Sequence, residues 1–353
     1  MKKSLLALAV LGAFAGAAQA QSSVTIYGLL DQAVVVNSNA SATGQNRSSL
    51  GAATASNRLG FRGTEDLGGG LKASFTLELQ HLTDTGAIDA PAGVLFRRAA
   101  NLALSGGFGT VTLGRQTDPF YIAYASGDTR PSNLTGSSLQ PFLRATAATI
   151  GTNITPLWVD NGVSYTTPTF GGFKATAYYS FGEVAGNSSA SKQQGLTANY
   201  AAGPLTANVG IVNHYSATGS KDGEGMTLNG GYTFGPATVR LSYSRFENPL
   251  TPATRKFDVI GLSALFAASA TVDISAGYYR LDDKNNVVRD TNIIGLEGVY
   301  KLSKRTALYT VYGRSSNGAV VGALHSPGAG GSAIGGNQAT TQNVFGAGIR
   351  HAF

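Results

Sequence analysis

Arg58 and Arg62 stand four residues apart in Asn57-Arg58-Leu59-Gly60-Phe61-Arg62-Gly63. In an extended chain this even spacing puts both guanidiniums on one face, while Leu59, Phe61 and Gly63 take the other. Permanently charged groups on one face attract anions and offer no acid–base chemistry of their own. Arg97 and Arg98 are neighbours, so strict alternation admits only one to that side; with Leu102 and Leu104 pointing away, it selects Arg97. Trp158 and Asp160 share a face by the same rule, which sets a carboxylate beside the arginines. In the long stretch between these segments, Arg130 and Arg144 stand against Asp118 and Asp128. Whichever of them turn toward open space fix the sign of the local field.

Residues for covalent or metal chemistry are missing. The 4 histidines, His81, His214, His325 and His351, fall near strand ends or in loops, and none completes a nucleophile–His–acid set. There is no cysteine and no histidine cluster at ligand spacing, so neither metal nor cofactor is expected. Gly328-Ala329-Gly330-Gly331 lacks the strand, lysine and helix of a phosphate loop. The expectation is a protein that is not an enzyme.

The elements that must aim these side chains are strands. From Val24 to Phe353, apolar and polar residues alternate with period two in segments of roughly ten residues, the signature of a membrane barrel. Leu71, Ala73, Phe75, Leu77 and Leu79 oppose Lys72, Ser74, Thr76, Glu78 and Gln80; Met226 to Phe234 and Val272 to Tyr278 divide in the same way. Tight Gly- and Pro-bearing turns, near Gly69, Gly107, Gly171, Gly203, Gly235, Ser269 and Ser303, alternate with long connections at 37–56, 81–94, 116–157, 183–194, 215–224, 248–254, 282–290 and 315–341. Those seven turns, with both termini on their rim, predict an all-β, 16-stranded antiparallel transmembrane barrel. Its lumen is too wide for side chains to fill. The connection 116–157, rich in Pro and aromatics, is long enough to fold inward as a constriction without structure of its own.

Met1-Lys2-Lys3 followed by an apolar run to Ala17 and by Ala18-Gln19-Ala20 is the pattern of a cleaved export signal, residues 1–20, which leaves a barrel domain at 21–353. No later run approaches the ~18 apolar residues of a spanning helix. Forty-seven glycines, 15 tyrosines and 16 phenylalanines suit a barrel with aromatic girdles. Removing Lys2 and Lys3 takes the net charge from +7 to +5, with no basic low-complexity run, so nucleic acid is not an expected partner.

Four stretches carry a family resemblance: Ser23-Val24-Thr25-Ile26-Tyr27-Gly28, the segment Asn57 to Gly68, Ser105-Gly106-Gly107-Phe108-Gly109-Thr110-Val111-Thr112-Leu113-Gly114-Arg115, and the ending Gly348-Ile349-Arg350-His351-Ala352-Phe353. In this order they resemble the trimeric outer-membrane porins of β-proteobacteria such as Burkholderia, Bordetella and the comamonads. The resemblance implies a homotrimer with an inward third outer loop, diffusion of small hydrophilic solutes and frequent anion preference. It also implies outer-membrane lipid and lipopolysaccharide as surroundings, and a terminal aromatic, Phe353, presented to the barrel-assembly machinery. It matches Arg58 to a constriction arginine and prefers Arg98 over Arg97. A third inward arginine of the family is replaced by Trp158, which with Asp160 weakens the expected positive cluster unless Arg130 and Arg144 compensate.

Alternation adds Lys72, Lys174, Arg240, Arg314 and Arg350 to the lumen against Glu78, Asp273 and Glu297, a small basic margin. A closed-lumen structural or adhesive barrel and a substrate-specific channel are the rival readings, because passive conduction leaves no catalytic signature.

Overall fold

The computed structural model describes residues 23–40, 44–146, 157–250, 255–285, 290–316 and 341–353. The export segment 1–20, His325 and the glycine run at 328–331 lie outside the described residues. Among the described residues, the strands are β1 (Ser23–Asn37), β2 (Arg47–Gly51), β3 (Arg58–Gly68), β4 (Leu71–Gln80), β5 (Ala99–Gly106), β6 (Gly109–Thr117), β7 (Trp158–Val159), β8 (Gly162–Thr166) and β9 (Phe173–Ser180). They continue as β10 (Gln193–Ala202), β11 (Leu205–Tyr215), β12 (Lys221–Phe234), β13 (Ala237–Asn248), β14 (Arg255–Ala267), β15 (Val272–Asp283), β16 (Thr291–Lys301), β17 (Thr306–Ser316) and β18 (Gln342–Ala352).

Each strand pairs antiparallel with its neighbours, and β18 returns to β1 with Leu29 opposite Ala352 and Val36 opposite Phe345. Because β2 and β3 both pair with β1, and β7 and β8 both with β6, each couple is one interrupted stave; 18 − 2 = 16 staves close the barrel. Closure leaves no edge strand, which is what a sheet in hydrocarbon requires. Outward positions such as Leu228, Leu262, Ile274 and Leu296 are exposed, and Phe173, Tyr232, Phe234, Phe266 and Tyr300 ring the rim of the tight turns. The C-terminal Phe353 joins Gly28 through two backbone hydrogen bonds, at 3.1 and 3.2 Å, and its ring occupies the space a Gly28 side chain would need.

The connection after β6 differs from the structureless loop expected, for it holds two helices, α1 (Pro119–Ala125) and α2 (Leu139–Thr146). Asp118 caps α1 by accepting from the Phe120 N–H at 2.8 Å, and Pro119 occupies the first turn, where its missing N–H costs nothing. The buried apolar material of the protein lies between this loop and the inner wall. Phe120 meets Phe246 edge-on at 6.1 Å, Phe142 meets it at 5.7 Å, and Tyr124 and Phe142 lie 4.7 Å apart. Phe257, Val259 and Leu281 complete the cluster from β14 and β15.

The loop tip is pinned on the far side. The Leu134 N–H donates to the Thr54 carbonyl at 3.2 Å, and the Thr135 hydroxyl to the Ala53 carbonyl at 2.9 Å. Residues 52–57, which interrupt the stave of β2 and β3, are held by the buried carboxylate of Asp31. It accepts from the N–H groups of Ala53, Thr54 and Ala55 at 3.1, 3.2 and 2.9 Å and from the hydroxyls of Thr54 and Tyr309, a full set of partners for a charge removed from water. Gly136, at φ +60°, rests on Gly295 so closely that a side chain at either position would meet the opposing backbone.

Gly295→Val is expected to leave the barrel assembled, read as the heat-modifiable electrophoretic mobility of the folded form, while lifting the loop tip and changing single-channel conductance. Unchanged conductance in a folded variant would show that the tip does not rest there.

Candidate functional site

Where the inward loop narrows the barrel, a cavity of about 880 Å³ runs between loop and wall toward the rim that holds the termini. Its basic lining residues are Arg58, Arg98, Arg130, Arg240, Lys301, Lys304, Arg305 and Arg350; its acidic ones are Asp273 and Glu297. Eight against two leaves an excess of six positive charges, and both acids are engaged. Lys301 lies 2.7 Å from Asp273, and Glu297 accepts from the Asn133 side chain at 3.1 Å.

The basic wall is built by register. Arg58 on β3 lies opposite Leu29 of β1 and Gln80 of β4, and Arg62 lies opposite Thr76, so both project inward, with Arg62 stacked 5.0 Å from the Tyr27 ring centroid. Tyr27 donates to Glu78 at 2.8 Å, and Glu78 is ion-paired with Arg98, whose second contact is the Gln80 side chain at 3.1 Å. The one carboxylate on this stretch of β4 is thereby neutralised. Among the described residues Arg58 enters no ion pair, which leaves its charge toward the cavity.

Arg97 and Arg98 both leave the lipid face, because β5 begins only at Ala99 and alternation does not bind the two residues before it. Arg98 lines the cavity. Arg97 is buried, bonded to the Asp89 carboxylate at 2.9 Å and to its carbonyl at 2.8 Å. Trp158 is the surface on which they converge: the guanidinium carbons of Arg97, Arg98 and Arg115 lie 5.1, 5.7 and 5.9 Å from its ring, within cation–π range. Asp160, with a side chain 62% exposed, is ion-paired with Arg115, the residue before Gln116, which pairs across strands with Val159. The sequence reading counted Asp160 as an uncompensated negative charge and missed Arg115.

The loop's own acids turn away from the cavity. Asp118 is fully buried, accepts from the Gln193 side chain at 2.8 Å, and burial pushes its carboxyl up to about 7. Asp128, also fully buried, accepts from the N–H groups of Arg130 and Ser138 at 2.8 and 2.9 Å. Arg130 borders the cavity but is 5% exposed and donates to the Gly136 carbonyl at 2.6 Å; Arg144 packs over the Phe257 ring at 5.9 Å and does not line the cavity. Arg240 donates to the Ser126 carbonyl, tying β13 to the loop. Arg314 is a correction: Tyr309, Val311, Gly313 and Ser315 face inward and are buried, so Arg314 faces outward, opposite the exposed Ile294.

Three comparisons bear on the arrangement. A family model described as Gram-negative porin matches residues 7–319. The chain is 37% identical over 368 residues, covering all of both chains, to outer membrane porin protein 32 of Delftia acidovorans; it is 30% identical over 410 residues, again over all of both, to an outer membrane porin protein of Bordetella pertussis. Among solved structures, an anion-selective porin from Comamonas acidovorans superposes with a TM-score of 0.82 at 32% identity, covering 94% of this chain and all of the other.

Trp158→Leu removes the ring that gathers three guanidiniums. At about 0.5–1 kcal/mol for each contact, the folded barrel is expected to lose roughly 2 kcal/mol, read as a lower temperature for loss of heat-modifiable mobility. A variant as stable as the parent would show that the stacking contributes nothing.

Proposed function

The chain belongs to the Gram-negative porin family and is a channel of the outer membrane rather than an enzyme, and we propose that it passes small anions in preference to cations, with Arg58 and Arg98 as the principal selectivity groups. The observation that carries this reading is the unequal lining of the cavity, eight basic residues to two acids, an excess that remains after Lys301 pairs with Asp273 and Arg98 with Glu78. Fixed positive charge along a narrow aqueous path lowers the energy of an anion and raises that of a cation. The anion-selective porin from Comamonas acidovorans supports the same reading by its likeness over the whole barrel.

In this reading Arg62 and Arg350 extend the positive field below the narrowest point, Arg130 adds to it from the loop, and Arg97, Trp158 and Asp160 hold Arg98 and Arg115 in place. Arg144 acts on loop docking alone. We also infer, from the family resemblance, cleavage after Ala20, a homotrimer in contact with outer-membrane lipid and lipopolysaccharide, and delivery by the barrel-assembly machinery with Phe353 as its terminal signal.

In planar bilayers under a KCl gradient, the reversal potential is expected to carry the sign of an anion-permeable channel and to shrink as ionic strength rises past roughly 0.1 M, where screening acts within about 10 Å. Arg58→Glu, a change of two charge units in the cavity lining, is expected to reduce or invert it. A cation-permeable sign in the unaltered channel would sink the proposal.

A further inference from the structure

We propose that the constriction distinguishes among anions and favours monocarboxylates that carry a short hydrocarbon tail, with the carboxylate at Arg58 and Arg98 and the tail against Ile122 of α1. The proposal rests on the anion reading above and adds the chemical class of the solute.

In α1 every residue but one is buried, namely Pro119, Phe120, Tyr121, Ala123, Tyr124 and Ala125, whereas Ile122 is 54% exposed and lines the cavity between Tyr121 and Ala125. A single exposed isoleucine is ordinary on a protein surface. Here it is joined by Pro131, exposed on the same loop and lining the same cavity, and by Leu29 on the wall beside Arg58. The loop's two carboxylates, Asp118 and Asp128, are both fully buried on its other side. The passage therefore presents the guanidiniums of Arg58 and Arg98 on the wall, and on the loop a partly apolar surface that carries no acid and one largely buried cation, Arg130.

A small hydrated anion uses only the first of these surfaces. An anion with a hydrocarbon tail uses both, since the tail can leave water against Ile122 while the charge stays on the arginines. Covering one methylene is worth roughly a three- to fourfold change in partition, so the preference is modest and compatible with rapid passage. A carboxylate suits the site because a guanidinium fork matches its two oxygens.

Butyrate and lactate test this directly. They have the same charge and the same number of heavy atoms, and they differ in apolar surface. Bi-ionic potentials with KCl on one side and potassium butyrate or potassium lactate on the other give each permeability relative to chloride in the unaltered channel. The expected result is butyrate ahead of lactate by about threefold, with the difference lost in Ile122→Asn. A KCl gradient in the same membranes reports the anion reading separately. Equal permeabilities in a channel that is anion-permeable in KCl would overturn this inference and leave that reading intact. A butyrate preference that survives both Ile122→Asn and Pro131→Ser would also overturn it. The comparison in the unaltered protein stands even if a variant does not fold.

Discussion

The contact between the third outer loop and the inner wall is the interaction on which the pore depends. Sixteen staves enclose more space than their own side chains fill, and the lumen becomes selective only when something narrows it. Here the narrowing element is held by burial of aromatics. Phe120, Tyr124 and Phe142 of the loop close on Phe246 of β13 and Phe257 of β14. Polar ties then set the register: Asn229 donates to the Ala123 carbonyl at 2.9 Å, and the Thr129 N–H donates to Ser263 at 2.9 Å. The far end rests on residues 52–57, whose inward course is fixed by Asp31.

This docking decides the charge of the constriction as much as the arginines do. A loop carrying Asp118 and Asp128 on its water-facing side would set negative charge opposite Arg58 and Arg98. Both acids instead serve the loop's own backbone, one as a helix cap and one as an anchor for the turns at Arg130 and Ser138. The acids that remain near the arginines are matched: Glu78 by Arg98, Asp89 by Arg97, Asp160 by Arg115. Trp158 gathers three guanidiniums around one ring, and the cation–π attraction offsets part of their mutual repulsion.

The barrel was legible in the sequence wherever one face of a strand meets lipid and the other meets water. β4, β12 and β15 alternate cleanly for that reason, and Arg58 and Arg62 could be assigned to one face without a structure. Legibility failed where the loop covers the wall. On β17 the inward residues Tyr309 and Val311 pack into an apolar cluster with Tyr279 and Ile293, so both faces of the strand read as apolar and Arg314 was assigned to the wrong one. The same covering hid the helices of the loop, although Asp118-Pro119 is a helix-start signal that local chemistry alone supplies. Alternation selected Arg97, whereas Arg98 lines the cavity, because both precede β5 and obey no pleat. Asp31 was unreadable for a different reason: the backbone groups it gathers at 53–55 are brought to it by barrel closure.

The central claim is that the loop withdraws its acids and leaves a constriction of one sign. A crystal soaked in rubidium bromide tests it most directly, since both ions are located by their anomalous scattering. Ordered bromide is expected in the cavity beside Arg58 and Arg98, with no rubidium on the loop's inner face. Rubidium bound at the constriction, coordinated by Asp118 or Asp128, would contradict it.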